Sequence, residues 1–221
     1  MAAGAMEGRA IFDLDGTLVD SAPGILACYR AALAEMGCEW PEHAAVETAI
    51  GPPLLDVCRA LLAPREAERA EELARRYRAL YTAWGWRRCA LYPGIAETLA
   101  ALAESGIALF VATAKRTIYA QWMLEHLGVA GRFAAIRGSE DGGAFDDKAV
   151  LVADMLRAGA GPAAMVGDSR FDIEAARACA IPAIAVAWGY GRAAELAGVP
   201  MAARPGDIPP LVARLWRGDT P

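Results

Sequence analysis

The heptapeptide Ile-Phe-Asp-Leu-Asp-Gly-Thr at residues 11–17 decides how the rest of the chain is interpreted. An apolar run from Arg9 to Leu14 leads into a Gly-Thr turn and predicts a short buried strand. Asp13 and Asp15 then fall at the carboxyl end of that strand, the edge at which open α/β sheets bind ligands. Two carboxylates this close repel each other unless a cation or a shared proton relieves the repulsion. Mg²⁺ prefers such oxygen ligands, although acids at a strand end can also be solvated surface groups.

The composition describes a globular chain that can bury a core. The chain has 221 residues, of which 56% are hydrophobic, and a formal net charge of −5 at pH 7. This acidic balance disfavours a nucleic-acid polymer as partner, and no apolar run is long enough to span a bilayer. The N-terminal residues do not resemble a signal peptide, and the five cysteines form no CxxC pair. We therefore expect a cytoplasmic protein with reduced thiols, either a monomer or a homodimer.

Lysine is rare in this chain. Of the 22 basic residues only two are lysines, Lys115 and Lys148. A lysine retained among so many arginines can mark a place that needs a compact ammonium rather than a planar guanidinium. Chance retention is the alternative interpretation.

Two kinds of hydrophobic pattern divide the chain. Residues 21–91 are helical by periodicity, whereas from residue 93 onward apolar strands alternate with helices. Such alternation is typical of a parallel, doubly wound sheet. We predict an α/β fold with a five-stranded parallel core domain formed by residues 1–19 and 92–221. Residues 20–91 are predicted to form an inserted, all-helical cap domain.

The other elements are placed by short apolar runs and by Gly or Pro boundaries. Strands after the first are predicted at residues 107–113, 133–137, 163–166 and 183–188. Helices of the core are predicted at residues 95–104, 118–127, 148–158 and 173–178, and helices of the cap include residues 54–62 and 65–81.

Polar side chains follow the predicted strands at the points where the strands end. Thr113-Ala114-Lys115 supplies a hydroxyl and backbone amides just before a helix, an arrangement that can hold a phosphate. Gly167-Asp168 ends a later strand, with Asp172 four residues on, and Lys148 opens the helix before that strand. Since the carboxyl ends of parallel strands meet at one edge, we expect these groups to share one site.

This ordered set of motifs resembles that of the haloacid dehalogenase (HAD) superfamily of phosphatases. Asp-x-Asp-Gly-Thr, a strand-end Thr, an isolated Lys and Gly-Asp-x-x-x-Asp follow one another in the family's order. The resemblance implies a Rossmann-like core, and the helical insertion is similar to the family's cap. Ile50-Gly51-Pro52-Pro53-Leu54 and Tyr92-Pro93-Gly94 resemble the phosphoglycolate phosphatase-like and 5′-nucleotidase-like subgroup.

The resemblance implies a catalytic role for several of these residues. Asp13 is expected to be the nucleophile that forms an aspartyl-phosphate, and Asp15 the general acid and then the general base. Lys148 is expected to neutralise charge on the nucleophile and the phosphate. Thr113 and the Ala114 amide are expected to hold phosphate, although the family often has Ser or Asn in the place of Ala114.

The remaining implied residues concern the metal and the cap. Mg²⁺ is the implied cofactor, with Asp13, the Asp15 carbonyl and Asp168 as ligands and Asp172 supporting them. The cap loop at Gly51 and Pro52 is expected to contact the substrate. The implied function is Mg²⁺-dependent hydrolysis of a small phosphomonoester, with no membrane or nucleic-acid partner.

Several alternatives depend on the same residues. Asp15 argues against a dehalogenase, and the absence of lysine between residues 20 and 91 argues against a phosphonatase. A sugar phosphomutase similar to β-phosphoglucomutase stays open because it shares the first motif, whereas a non-catalytic phosphate-binding relative is disfavoured by the complete motif set. Gly189-Tyr190-Gly191 imitates a dinucleotide fingerprint, but no strand with a terminal acid follows, so a turn passing close to the site is preferred to an NAD site. Lys115 is expected to be a solvated or partly exposed residue in the first turn of the following helix, at most in contact with groups that touch the substrate.

Overall fold

The computed structural model describes residues 8–42, 44, 49–64, 66–140, 143, 147–157 and 159–218. The chain divides into two compact units, of which the first combines Met1–Asp20 with Leu91–Pro221 and the second is Ser21–Ala90. Because the first unit is made of two separate chain segments, the second is an insertion in the sequence.

The first unit is built on a parallel sheet of six strands. The strands of the described residues, in chain order, are β1 (Gly8–Phe12), β2 (Val19–Asp20), β3 (Ala90–Leu91), β4 (Ile107–Arg116), β5 (Ala135–Ser139), β6 (Ala163–Gly167), β7 (Ala183–Val186) and β8 (Met201–Ala202). The large sheet has the order β5-β4-β1-β6-β7-β8, and each neighbouring pair is parallel. The predicted α/β fold is confirmed, but the prediction of five core strands was wrong. The sixth strand, β8, is too short to produce an alternating pattern in the sequence.

β1 and β6 form the centre of this sheet, and all five residues of each strand are buried. A strand covered on both faces has no polar side, which explains the unbroken apolar run of Ala10–Phe12. Phe12 lies in register with Val111 of β4 and with Val166 of β6. The residues that follow these three positions therefore lie towards the same edge of the sheet, its carboxyl edge.

β1 ends earlier than predicted. It stops at Phe12 rather than Leu14, because the Leu14 carbonyl accepts hydrogen bonds from the amides of Leu18 and Val19 in a tight turn. Asp13 still donates its amide hydrogen to the Val166 carbonyl of β6 at 2.9 Å, and the turn that carries Asp15 begins directly after it.

β4 ends later than predicted. It continues to Arg116 rather than stopping at Thr113, because Arg116 pairs with Ser139 of β5. The pairing of the two strands is irregular between Ala112 and Arg116. Such an irregularity changes the direction in which the side chains along it point.

Helices cover the sheet of the first unit. They are Ile95–Glu104, Thr117–His126, Lys148–Arg157, Arg170–Ala178 and Ile208–Arg217, with short 3₁₀ turns at Ala130–Arg132, Ala193–Leu196 and Pro205–Asp207. The helix predicted at residues 173–178 begins earlier, at Arg170, because Ser169 and Asp172 form a capping box at its start. Residue 158, the predicted end of another helix, lies outside the described residues.

Among the described residues of the second unit, the regular structure between residues 22 and 87 is helical. Its elements are Ala22–Glu35, Leu54–Leu62 and Ala70–Ala83, with 3₁₀ turns at Ala67–Arg69 and Gly85–Arg87. The long helix predicted from residue 65 begins only at Ala70, because Glu66, with φ −132° and ψ 25°, is not helical; residue 65 itself lies outside the described residues. None of the helices described in either unit is long and apolar enough to cross a membrane.

Close backbone contact and aromatic stacking hold the second unit together. The Tyr29 and Tyr77 rings stack with centroids 4.2 Å apart, and Tyr77 stacks on Tyr81 at 5.5 Å. A Cβ atom at Gly24 would lie 2.2 Å from the Gly85 carbonyl oxygen. Glycine is therefore needed where the first helix of this unit meets its last turn.

Candidate active site

Charged side chains from several segments converge at the carboxyl edge of the first unit's sheet. They are Asp13 and Asp15 after β1, Lys115 at the end of β4, Lys148 at the start of a helix, and Asp168 and Asp172 after β6. Charged groups are rarely buried unless they are paired or bind a ligand. A cluster of this kind is therefore a candidate active site.

Lys148 joins two of the acids. Its Nζ atom donates hydrogen bonds to Asp13 Oδ1 at 2.7 Å and to Asp172 Oδ1 at 2.6 Å. The second oxygen of Asp172 accepts hydrogen bonds from the Ser169 amide at 2.9 Å and the Ser169 hydroxyl at 2.7 Å. Both oxygens of Asp172 are thus engaged, so this residue holds Lys148 and the helix start in place. Asp13 uses only Oδ1 in these contacts.

The Asp168 carboxylate is held by backbone amides from the loop after β7. Oδ2 accepts hydrogen bonds from the amides of Tyr190 at 2.7 Å and Gly191 at 3.2 Å, and Oδ1 accepts one from the Thr17 hydroxyl at 3.4 Å. A Cβ atom at Gly191 would lie 1.8 Å from the Asp168 carbonyl oxygen, and one at Gly189 would lie 2.2 Å from Asp168 Cβ. The glycines of the supposed dinucleotide fingerprint therefore allow this loop to approach Asp168.

Side chains of the same loop fix its position. The Trp188 Nε1–H group donates to the Thr17 carbonyl at 3.1 Å, and the Tyr190 hydroxyl donates to Asp20 Oδ1 at 2.7 Å. Sequence reasoning predicted that this loop passes near the site, but it missed the contacts of Thr17, Trp188 and Tyr190. The available signal was the Gly-Tyr-Gly spacing directly after the last long strand.

The expectation that Lys115 is a solvated or partly exposed residue in a helix's first turn is wrong, since it lies near the end of β4. Its Nζ atom lies 2.9 Å from Asp15 Oδ2, and the two side chains are only 9% and 17% exposed. The cause is the irregular end of β4, where the Lys115 amide donates to Thr113 Oγ1 at 3.2 Å. A Cβ atom at Gly138 of β5 would lie 1.9 Å from the Lys115 carbonyl oxygen. Contacts between two strands thus determine where Lys115 points, and no local sequence signal reports them.

The residues predicted to bind phosphate or substrate lie in both units. Thr113 is buried, whereas Ala114 is exposed and its carbonyl accepts a hydrogen bond from the Ser139 hydroxyl at 3.1 Å. Gly51 and Pro52, both exposed, belong to the second unit. The phosphate-binding role of the first pair and the substrate-binding role of the second pair stay predictions.

Burial raises the pKa values of two acids of the site. Burial raises the pKa of Asp13 to about 8, opposed by Lys148 and assisted by Asp172 and Asp168. Burial and Asp172 raise the pKa of Asp168 to about 6, against the hydrogen bonds that it accepts from the loop amides. Burial lowers the pKa of Lys148, but Asp13 and Asp172 outweigh this effect and hold that pKa above its usual range. The Lys148 side chain therefore stays protonated, but its charge is too small to keep all of these acids ionised at neutral pH. A further positive charge would favour their ionised form.

The acidic cluster fits a divalent cation. Carboxylate oxygens of Asp13, Asp168 and Asp172 all lie within 4.8 Å of one another. With Asp15 included, four carboxylates meet two ammonium groups, an excess of two negative charges when all are ionised. These residues could bind one metal ion, and oxygen donors of this kind suit Mg²⁺.

The fold and the site together define a class of protein. It is a parallel α/β protein with a candidate metal-binding active site, built from acids and lysines, at the carboxyl edge of its sheet. Residues 10–186 match the sequence model of the haloacid dehalogenase-like hydrolase family. The chain belongs to this family, as the motif resemblance predicted.

Curated relatives carry different activities in their names. The chain is 40% identical to the tyrosine-protein kinase PtkA of Mycobacterium tuberculosis over 186 residues, which are 83% of this chain and 63% of that protein. The chain therefore spans less than two thirds of that relative's length. It is 35% identical to the 5′-nucleotidase of Pseudomonas aeruginosa over 189 residues, 84% of this chain and 85% of that one. It is 38% identical to the phosphoglycolate phosphatase of Agrobacterium fabrum over 189 residues, 82% and 81% of the two chains.

Solved structures of the family share the fold. A haloacid dehalogenase-like family protein from Streptococcus pneumoniae superposes with a TM-score of 0.83 at 29% identity, covering 94% of this chain and 98% of that one. The match extends over both units of this chain in sequence.

Proposed function

We propose that the chain is a Mg²⁺-dependent phosphatase that hydrolyses a small phosphomonoester through an aspartyl-phosphate. The observation that supports this most is the environment of Asp13, a buried carboxylate 2.7 Å from an ammonium and next to two further acids. An anionic nucleophile reaches an anionic phosphate only where positive charge compensates both. Lys148 supplies one such charge, and the excess of acids attracts another.

The first step forms the covalent intermediate. An oxygen of Asp13 attacks phosphorus, and the bond between phosphorus and the leaving oxygen breaks. Asp15 gives its proton to the leaving oxygen, so the product leaves as a neutral alcohol. The Thr113 hydroxyl and the Ala114 amide hold phosphoryl oxygens, and Lys148 balances the charge of the phosphoryl group.

The second step returns the enzyme to its starting state. A water molecule attacks phosphorus while Asp15, now a carboxylate, takes one of its protons. The bond between Asp13 and phosphorus breaks, and inorganic phosphate is released. One ester and one water thus give one alcohol and one phosphate, with Asp15 protonated again.

Asp13, Asp168 and the backbone carbonyl of Asp15 would hold Mg²⁺, and Asp172 would support them through Lys148. When bound, the ion neutralises charge on the phosphate and on the nucleophile. The amides of Tyr190 and Gly191 keep the Asp168 carboxylate in a fixed orientation.

The substrate class is a small phosphorylated metabolite, similar to phosphoglycolate or to a nucleoside monophosphate. The names of two relatives support this class, as does the subgroup resemblance of the sequence. In this proposal residues 1–19 and 92–221 form the catalytic core and residues 20–91 form a cap, whose loop at Gly51 and Pro52 contacts the leaving group. The enzyme acts in the cytoplasm as a monomer or homodimer and needs no nucleic acid.

A second candidate function is phosphoryl transfer to a hydroxyl other than water. The 40% identity to a protein named as a tyrosine kinase favours testing transfer to tyrosine. A sugar phosphomutase is also tested, because its first motif is similar to the Asp-x-Asp-Gly-Thr segment of this chain. The three reactions differ in the group that gives and the group that receives the phosphoryl group.

A panel of phosphomonoesters assayed with Mg²⁺ tests the proposal. The release of inorganic phosphate is measured with phosphoglycolate, nucleoside monophosphates and sugar phosphates. We expect at least one of these esters to give phosphate and alcohol in equal amounts. Asp13→Asn should lower turnover at least about 1,000-fold because it removes the nucleophile. Asp154→Asn is the matched control, since Asp154 forms ion pairs with the exposed Arg137 and Arg157, and the variant should keep full activity.

The same assays separate the alternatives. Transfer of labelled phosphate from ATP to tyrosine, without phosphate release from any ester, would support the kinase function. Conversion of one sugar phosphate isomer into another would support the mutase. Full activity of Asp13→Asn would rule out the aspartyl-phosphate.

A further inference from the structure

The two lysines of this chain pair one to one with the two aspartates of the Asp13-Leu14-Asp15 segment. Lys148 Nζ lies 2.7 Å from Asp13 Oδ1, and Lys115 Nζ lies 2.9 Å from Asp15 Oδ2. Every other basic residue besides the two histidines is arginine. The mechanism proposed above uses Lys148 and leaves Lys115 without a role.

The pair formed by Lys115 and Asp15 is shielded from solvent. The two side chains are 9% and 17% exposed, so their attraction is weakly screened, and either charge would be costly to leave unpaired. Asp15 Oδ1 is buried and accepts no hydrogen bond from the described part of the chain. The ammonium of Lys115 contacts the other oxygen, Oδ2, and thereby restrains the orientation of the Asp15 carboxylate.

Several features of the fold hold Lys115 in this place. The pairing of β4 with β5 is irregular between Ala112 and Arg116, the segment that contains Lys115. The Lys115 amide donates to the buried Thr113 hydroxyl at 3.2 Å, and the absence of a side chain at Gly138 leaves room for the Lys115 carbonyl. A lysine at the end of a regular strand would have no such support.

We propose that Lys115 is a positioning residue that holds Asp15 in the orientation needed for proton transfer to the leaving oxygen. This inference rests on the proposed phosphatase function. Lys115 keeps all three of its ammonium protons throughout, and the transferred proton passes only between Asp15 and the leaving oxygen or water. A compact ammonium suits this place better than a guanidinium, which explains the second lysine of an arginine-rich chain.

Leaving-group chemistry distinguishes this role from a general structural one. A p-nitrophenolate leaves without protonation, whereas a p-methylphenolate is a much poorer leaving group and depends on a general acid. The two phosphate esters have the same charge and nearly the same shape, so substrate binding treats them alike. Loss of a well-placed general acid therefore lowers the rate of hydrolysis of the p-methylphenyl ester far more than that of the p-nitrophenyl ester.

The test is the ratio of kcat/KM for the two esters in wild type and in Lys115→Met. We expect a loss of at least about 100-fold with p-methylphenyl phosphate and less than about 5-fold with p-nitrophenyl phosphate, within the range that general acid catalysis contributes. Asp15→Asn should show the same skew. Arg137→Met is the matched control, because it also removes a cation paired with a carboxylate, Asp154 at 3.3 Å, and should change neither ester.

Equal losses on both esters, or no loss on either, would overturn the inference. Thermal melting establishes that Lys115→Met is folded. If it is not, Lys115→Arg keeps the charge and is expected to show the same skew to a smaller degree, with equal losses again overturning the inference. Wild-type protein that releases phosphate from neither aryl ester nor from any metabolite would refute the proposed function itself, and this inference with it.

Discussion

One ammonium group serves two buried carboxylates in this molecule. Lys148 contacts Asp13 and Asp172 at hydrogen-bond distance, and its side chain is only 10% exposed. The arrangement of these three charged groups depends on the size of the central cation and on the directions in which it donates hydrogen bonds. The ammonium can direct its protons to both acids, whereas a planar guanidinium requires a wider and flatter space.

The exchange of lysine for arginine tests this dependence at the scale of one residue. We expect Lys148→Arg to lower kcat at least about 100-fold, because a displacement of about 1 Å beside the nucleophile is enough for such a loss. Phosphate release measured at saturating substrate checks the change. Arg157→Lys, at the other end of the same helix and paired with Asp154 on the surface, is the control that should keep wild-type activity. Normal turnover of Lys148→Arg would mean that charge alone is required at this position.

At the scale of elements, the loop after β7 completes a site that the long strands begin. Its amides at Tyr190 and Gly191 face Asp168, and its Trp188 indole contacts the Thr17 carbonyl. Groups that orient a metal ligand affect metal affinity although they do not touch the metal. This loop should therefore influence Mg²⁺ binding more than it influences substrate binding.

Gly191→Ala tests the contribution of the loop. The added methyl group would lie 1.8 Å from the Asp168 carbonyl oxygen, so the loop must move away and weaken its hydrogen bonds to the carboxylate. We expect the Mg²⁺ concentration for half-maximal activity to rise about 10- to 100-fold, with a much smaller change in KM. Gly206→Ala is the control, since nothing lies within 4 Å of a Cβ atom there. An unchanged Mg²⁺ requirement would show that the amides are dispensable.

Elements with local signals could be predicted from the sequence, and elements defined by long-range contacts could not. The apolar run and the Asp-x-Asp turn identify β1, and the parallel topology brings Asp168 to the same edge. β8 has only two residues and exists because Ala185 and Val186 of β7 pair with it. The position of Lys115 depends on the irregular pairing of two strands distant in sequence, so the residue was wrongly predicted to be solvated.

At the scale of the whole molecule, the buried acids connect folding stability with pH and metal. The raised pKa values of Asp13 and Asp168 mean that the folded, metal-free protein holds protons that the unfolded chain releases above its ordinary carboxyl pKa of 3.8. Stability from these groups is therefore present at low pH and is lost as pH rises through about 6 for Asp168 and about 8 for Asp13. Lys148, whose pKa is raised, contributes constantly over this range.

Denaturant unfolding at pH 5 and pH 8, with and without Mg²⁺, tests this connection. Without the metal, these two acids should make the protein less stable at pH 8 than at pH 5. The stabilisation by Mg²⁺ should be larger at pH 8, because the ion binds the ionised carboxylates and must displace protons at pH 5. The same measurements on Asp168→Asn should show a smaller effect of Mg²⁺. Equal stabilisation of the wild type at both pH values would contradict the prediction.

The pairing of both lysines with the site aspartates makes lysine-directed chemistry selective in this chain. Besides the α-amino group of the chain, an acylating reagent that modifies amines has two lysine targets, Lys115 and Lys148, and both are paired with carboxylates. The arginine-rich surface does not react with such a reagent. The mass added to these two amines over time would thus measure how often the site opens to solvent, a footprint that in most proteins is hidden under the labelling of dozens of surface lysines.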